Sequence, residues 1–160
     1  MVGKSGLVIF MLAVSLAGCG KPAAEKQAGN DSAQPVVETV AFERTPSPPG
    51  ARVFFITPDD GESVSNPFRI EFGIKGMTVV KAGSNQPQSG HHHLLIDTGL
   101  PDPALPIPAD ANHKHFGDGS TSTEISLQPG QHSLQLLLAD HLHIPHDPPV
   151  ASDVITVTVE

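Results

Sequence analysis

The sequence contains one cysteine, no tryptophan and no tyrosine. A single thiol excludes an internal disulfide, so stability has to come from a packed core, and a metal site has to be built without paired thiolates. Basic residues are scarce: 9 Lys and Arg stand against 17 Asp and Glu, for a formal net charge of −8. Beyond residue 82 the only basic residue apart from histidine is Lys114, against nine carboxylates. Such a surface repels phosphate backbones. Without Trp or Tyr it also lacks the platforms on which single-stranded bases stack. Nucleic acid is therefore not an expected partner, and sugar binding, which leans on an aromatic face, is disfavoured. Segments of convincing helical period are also missing.

One long apolar run is present, at the front. Lys4 precedes the apolar stretch Gly6 to Leu16, the layout of a secretion signal. The run is too short to cross a bilayer, which takes about 20 residues. It ends in LAGC (Leu16, Ala17, Gly18, Cys19), which resembles the bacterial lipobox in every position. That resemblance implies cleavage before Cys19 and a diacylglycerol on its sulfur, making the membrane a partner through the lipid anchor. Gly20 stands where an Asp would favour the inner membrane in enteric lipoproteins. The expected location is the cell envelope, lipid-anchored, at the outer membrane and facing the periplasm.

Residues 1–18 are thus expected to be signal, 19–50 a lipidated N-terminus with a linker, and 51–160 the folded domain. The linker stretch is dominated by Ala, Gln, Ser, Pro and charges and closes on TPSPPG. It offers too little apolar area to offset chain entropy. As a flexible chain it spans roughly 30 Å.

From Ala51 the pattern changes to short β-type runs between turn residues. They are RVFFI (52–56), FRIEFGI (68–74), MTVV (77–80), HHHLLID (91–97), STEIS (122–126), HSLQLLLA (132–139) and VITVTVE (154–160). Seven short strands in this length predict an all-β, immunoglobulin-like β-sandwich. Two stretches resist the strand pattern. GLPDPALPIPADAN (99–112) carries four prolines, which deny ladder donors, and DHLHIPHDPP (140–149) is a second loop. Long loops in compact domains are often functional.

All nine histidines fall between His91 and His146. They form the groups HHH, HKH, a lone His132, and HLHIPH. On a strand, alternate side chains share a face, which sets His91 and His93 about 7 Å apart on one side. His92 then faces with Leu94 and Ile96 toward the core. His113 and His115 form a second such pair if that piece is extended, and His143 and His146 lie in the later loop. Two imidazoles from one strand bind a metal when a third arrives from another segment. Imidazole suits Cu(II), Zn(II) and Ni(II). The candidate ligands are His91, His93, His113, His115, His143 and His146, with a copper or zinc ion as cofactor. Asp118 and Asp140 are candidates for outer carboxylates that orient the rings. His132, on the face of Leu134, Leu136 and Leu138, and His92 read as structural.

The strings SGHHHLLID, LPIPAD, HFGDGSTSTEISLQPGQHSLQLLLADH and HIPHDPPVASDVITVTV resemble a bacterial family, domain of unknown function 4399. The resemblance runs from about Gly90 to Val159. It implies a short exported protein whose identifying strings are the histidine-bearing ones, and it implies no particular activity.

Three functions follow from these features. The first is an envelope lipoprotein that binds copper or zinc for storage, delivery or sensing. The second is a non-catalytic module that binds another envelope protein. The third is a metallo-enzyme, which is least supported because no HExxH, Gly-x-Ser-x-Gly or phosphate loop is present.

Overall fold

Alternating apolar side chains give each strand one face to bury, and two such faces close on each other. The computed structural model describes residues 43–160. The signal run, Cys19 and most of the stretch read as linker lie outside the described residues. The described part is all-β, with no helix. Its strands are β1 (Arg52–Thr57), β2 (Ser63–Val64), β3 (Phe68–Lys75), β4 (Thr78–Val79), β5 (Ser89–Ile96), β6 (His113–His115), β7 (Ser122–Ile125), β8 (Gly130–Ala139) and β9 (Ile155–Val159).

All seven expected runs are strands, and β2 and β6 raise the count to nine. The two additions are two and three residues long. Segments that short are held by pairing to a neighbour and carry no periodic signal of their own.

One sheet is three-stranded, β1-β3-β7, and antiparallel throughout. The other runs β2-β9-β8-β5. Two short strands share the remaining edge of β5. β4 lies parallel to its start, Thr78 beside Ser89, and β6 lies antiparallel further on, His115 beside His93.

The core fills the space between the sheets. Phe68, Ile70 and Phe72 of β3 meet Leu94 and Ile96 of β5, Leu134, Leu136 and Leu138 of β8, and Val157 of β9. Each fully buried Leu, Ile or Phe contributes roughly 2 kcal/mol. His92 points into this core, its ring edge-on to Phe72 with centroids 4.7 Å apart.

β5 is buried along its whole length, on both faces. Its outer face is covered by chain that is not sheet. Leu95 packs there with Leu137 and Ala139 of β8 and with Ile107 from the proline-rich loop. A strand covered on both sides reads as a continuous run rather than an alternation. The same cover shields His91 and His93, which share that outer face.

Candidate metal centre

Period-two alternation sends His91 and His93 out of β5 on the side away from the core. Across the sheet their partners on β8 are Ala139 and Leu137. Along the opposite edge, β6 sets His115 directly beside His93. The His115 ring folds over Gly117, where any side chain would collide with it.

The fourth histidine comes from a loop closed by Asp140. The Asp140 Oδ1 accepts hydrogen bonds from the backbone N–H groups of Leu142 (2.8 Å) and Ile144 (3.0 Å). Its carbonyl accepts from His143 N, and its own N–H donates to Ile144 O, each at 3.0 Å. Within this closed turn His143 takes a left-handed backbone conformation, φ 66°. For a residue other than glycine that costs on the order of 1–3 kcal/mol, and it persists where surrounding bonds enforce it. The His143 carbonyl is fixed in turn by Ile107 N at 2.9 Å.

Four imidazoles from three separate stretches therefore meet. The His91 ring centre lies 4.9 Å from those of His93 and His115 and 4.8 Å from that of His143. His115 is 5.0 Å from His93 and 4.9 Å from His143. His93 and His143 are 6.0 Å apart. One ring nitrogen from each of His91, His115 and His143 lies within 4.8 Å of the others. His91 and His93 form a buried floor, while His143 is half-buried and His115 exposed.

The floor is unpaired. Both ring nitrogens of His91 and the Nδ1 of His93 are buried with no hydrogen-bond partner. Such an atom costs about 1–3 kcal/mol when nothing satisfies it.

The environment holds these rings neutral, the form in which imidazole binds a metal. Burial, followed by the neighbouring His143 and His115, pushes the His91 pKa down from 6.5 to about 4, with the Asp140 carboxylate acting in the opposite direction. His93 is lowered to about 2 by burial and then by His91, His115, His143 and His113. His115 is lowered by burial and by His143, and Asp118 opposes this.

Of the six histidines expected as ligands, His91, His93, His115 and His143 are brought together, and His113 and His146 are not. His113 turns to Asp110, its Nδ1 2.7 Å from a carboxylate oxygen. Three-residue β6 begins at this turn, so the carboxylate two residues before Asn112 captures the ring first. His146 is buried on the other side of β5. Its Nε2 lies 3.1 Å from Ser89 O, and its ring, with Ala139 O and Leu138, crowds the space a side chain at Gly90 would take.

The two carboxylates bond to the chain rather than to histidine nitrogens. Asp118 accepts from the N–H and hydroxyl of Ser120, a turn role. Asp140 closes the loop of His143, as above. His132 is held between Asp97 (2.6 Å) and Gln128 O (2.8 Å).

Sequence reasoning missed the residues that brace this loop. Arg44 and Thr45 fall in the stretch read as linker, yet Thr45 Oγ1 donates to Asp140 Oδ2 at 2.7 Å. No periodicity marks such a segment, because it pairs with a loop and not with a strand. A cavity of about 500 Å³ lies elsewhere, lined by Arg52, Phe55, Asp60 and Asp153 among others, and shares no residue with the histidine group.

A family model described as Domain of unknown function (DUF4399) matches residues 70–160. That span covers more than half of the chain and all four converging histidines. No curated protein and no solved structure matches the chain.

Proposed function

The chain belongs to the family of domain of unknown function 4399, and from the histidine group in the matched span we propose that it binds one divalent transition-metal ion, copper or zinc. His91, His93, His115 and His143 are the ligands. The observation that carries this reading is the convergence of His91, His115 and His143, with the His93 ring beside them, around buried nitrogens that no protein group satisfies. His92 shows why both parts are needed, since its nitrogens are also unpartnered but its ring faces Phe72 alone among the ring contacts.

The spacing fits an ion. A bound imidazole nitrogen lies about 2.0–2.1 Å from zinc, which puts the ring centre roughly 3.2 Å from the metal. Two such rings at a tetrahedral angle have centres about 5.2 Å apart. Five of the six separations here are 4.8–5.0 Å and the sixth is 6.0 Å. That is a near-regular tetrahedron opened along one edge, with the opposite edge, His91 to His115, at 4.9 Å. Nitrogen-only donors near tetrahedral geometry suit Zn(II), and imidazole donors suit Cu(II) as well. No thiolate or thioether is among these ligands, so the soft Cu(I) ion is the poorer match.

The lipobox and the stretch read as tether support an envelope location for this activity, on a lipid-anchored protein at the outer membrane. Storage, delivery or sensing of the ion are the roles consistent with a site whose floor is buried and whose rim is exposed. A second reading, docking to an envelope protein, draws on the exposed Leu100, Leu105 and Leu142, the last being next to His143.

Titration of the full chain with Cu(II), Zn(II) and Ni(II), followed by thermal unfolding, tests the first reading. An ion at 100 times its dissociation constant adds about 2.7 kcal/mol to stability. Lack of stabilisation by all three ions would remove the metal reading and leave the docking module.

A further inference from the structure

The ring of His143 is the one member of the group that no strand holds. It is placed by a loop, in a backbone conformation that a histidine does not favour by itself. What keeps it there is a set of bonds that converge on Asp140. One carboxylate oxygen closes the loop through Leu142 N and Ile144 N, and the other accepts the Thr45 hydroxyl.

Thr45 belongs to a short strap laid along the far end of the same loop. Asp147 N donates to Thr45 O at 3.0 Å, and Ser47 N donates to Asp147 O at 2.9 Å, with Pro46 bridging Asp147 in parallel. Arg44 grips three consecutive residues. Its guanidinium donates to Pro145 O at 3.1 Å, to His146 O, and to the Asp147 carboxylate at 3.1 Å. The strap thus binds residues 145–148 on one side of His143, and through Thr45 it binds the Asp140 hinge on the other. Every bond falls outside β5 and β6, and the strap lies before residue 70, where the family match begins.

We infer that Asp140 and the strap Arg44–Ser47 are the positioning elements of the metal centre, holding His143 in ligating position. This rests on the proposed metal reading. Neither Asp140 nor the strap touches the ion. They act by fixing one ligand before binding, so that the ion need not order the loop. The strap also lies within the last residues of the stretch read as tether. The loop that carries His143 is therefore braced by residues that precede the first strand.

The test uses the full chain and Cu(II) as probe, with affinity measured by competition and the copper environment by electron paramagnetic resonance. His91→Ala tests the site itself and should abolish tight binding. Asp140→Ala should weaken Cu(II) about 10–100-fold, the range for an outer partner of a ligand. Its copper spectrum should match that of His143→Ala. Asp140→Asn keeps an oxygen that accepts from Leu142 and Ile144, and should restore both the spectrum and most of the affinity. Arg44→Ala and Thr45→Val, mild changes at the periphery, should weaken binding several-fold with the same spectral shift.

Loss of binding in His91→Ala with an unaltered affinity and spectrum in Asp140→Ala would overturn the positioning role while leaving the metal site in place. Unaltered binding in His91→Ala would overturn the site and this inference together. A shift in Asp140→Ala without any in the Arg44 and Thr45 variants would overturn the part assigned to the strap.

Discussion

Seven of the nine histidines divide into two kinds. His113, His132 and His146 each have an oxygen within hydrogen-bond distance of a ring nitrogen, on Asp110, on Asp97 and Gln128, and on Ser89 respectively. His91, His93, His115 and His143 have one another, and the buried nitrogens among them have nothing. A ring that satisfies itself locally contributes to the fold. Rings that are crowded together around buried, unpaired nitrogens raise the energy of the free protein, and that energy is recovered when something binds them. The difference lies in what the backbone sets within reach, since the side chain is the same in both groups.

The sharpest way to separate the two regions is pH. His91 and His93 have folded-state pKa values far below 6.5, so the unfolded chain binds more protons as pH falls, and stability rises with pH in that window. In the metal-free protein the contribution of these two rings should therefore be fully present above about pH 6.5, with that of His91 lost down to about pH 4 and that of His93 lost further down, to about pH 2. Thermal or urea unfolding across this range measures it, and a flat profile would show that these rings are not held neutral. His132 has the opposite sign. Asp97, and then Gln128, raise its pKa, so its contribution is present below pH 6.5 and is lost as pH rises through the raised value.

Exchange of effects comes next. His91→Ala should remove metal-dependent stabilisation, whereas His146→Ala should leave metal affinity within a few-fold and cost about 2–4 kcal/mol of stability through the cavity and the lost bond. Paired calorimetric scans with and without Zn(II) show both. If His146→Ala abolished metal binding, the division between the two groups would fail.

A smaller effect is expected at His92. Its ring is fully buried against Phe72, and neither nitrogen has a partner. His92→Leu should raise stability by about 1–2 kcal/mol, because an unsatisfied polar ring gives way to an apolar one. Metal affinity should be unchanged, and a loss of affinity would mean that the core ring supports the site. Smallest of all is His132→Ala, a partly exposed pair with Asp97, for which about 1 kcal/mol of stability and no change in metal affinity are expected by urea unfolding.

Much of the centre was readable before any coordinates. The spacing of His91 and His93 put them on one face of a strand, and the strand is β5. The same rule nominated both His113 and His115, yet only His115 joins the group, because Asp110 lies within reach of His113. Spacing describes direction along a strand and says nothing of a competing carboxylate from the preceding turn. In the loop of His143 and His146 no period exists to read. A left-handed residue and a hinge at Asp140 decide that one ring turns to the centre and the other to Ser89.

Sequence alone determined the all-β architecture, the seven main strands and the confinement of histidine to the second half of the chain. These follow from side-chain alternation, turn residues and composition, which are local. Tertiary structure alone decided which four rings meet, that Asp140 serves a loop and not a ring, and that Arg44 and Thr45 belong with the folded domain. Those outcomes depend on chain segments up to about a hundred residues apart coming into contact. Contact across such distances is set by how the two sheets and their loops close, and no local pattern encodes it.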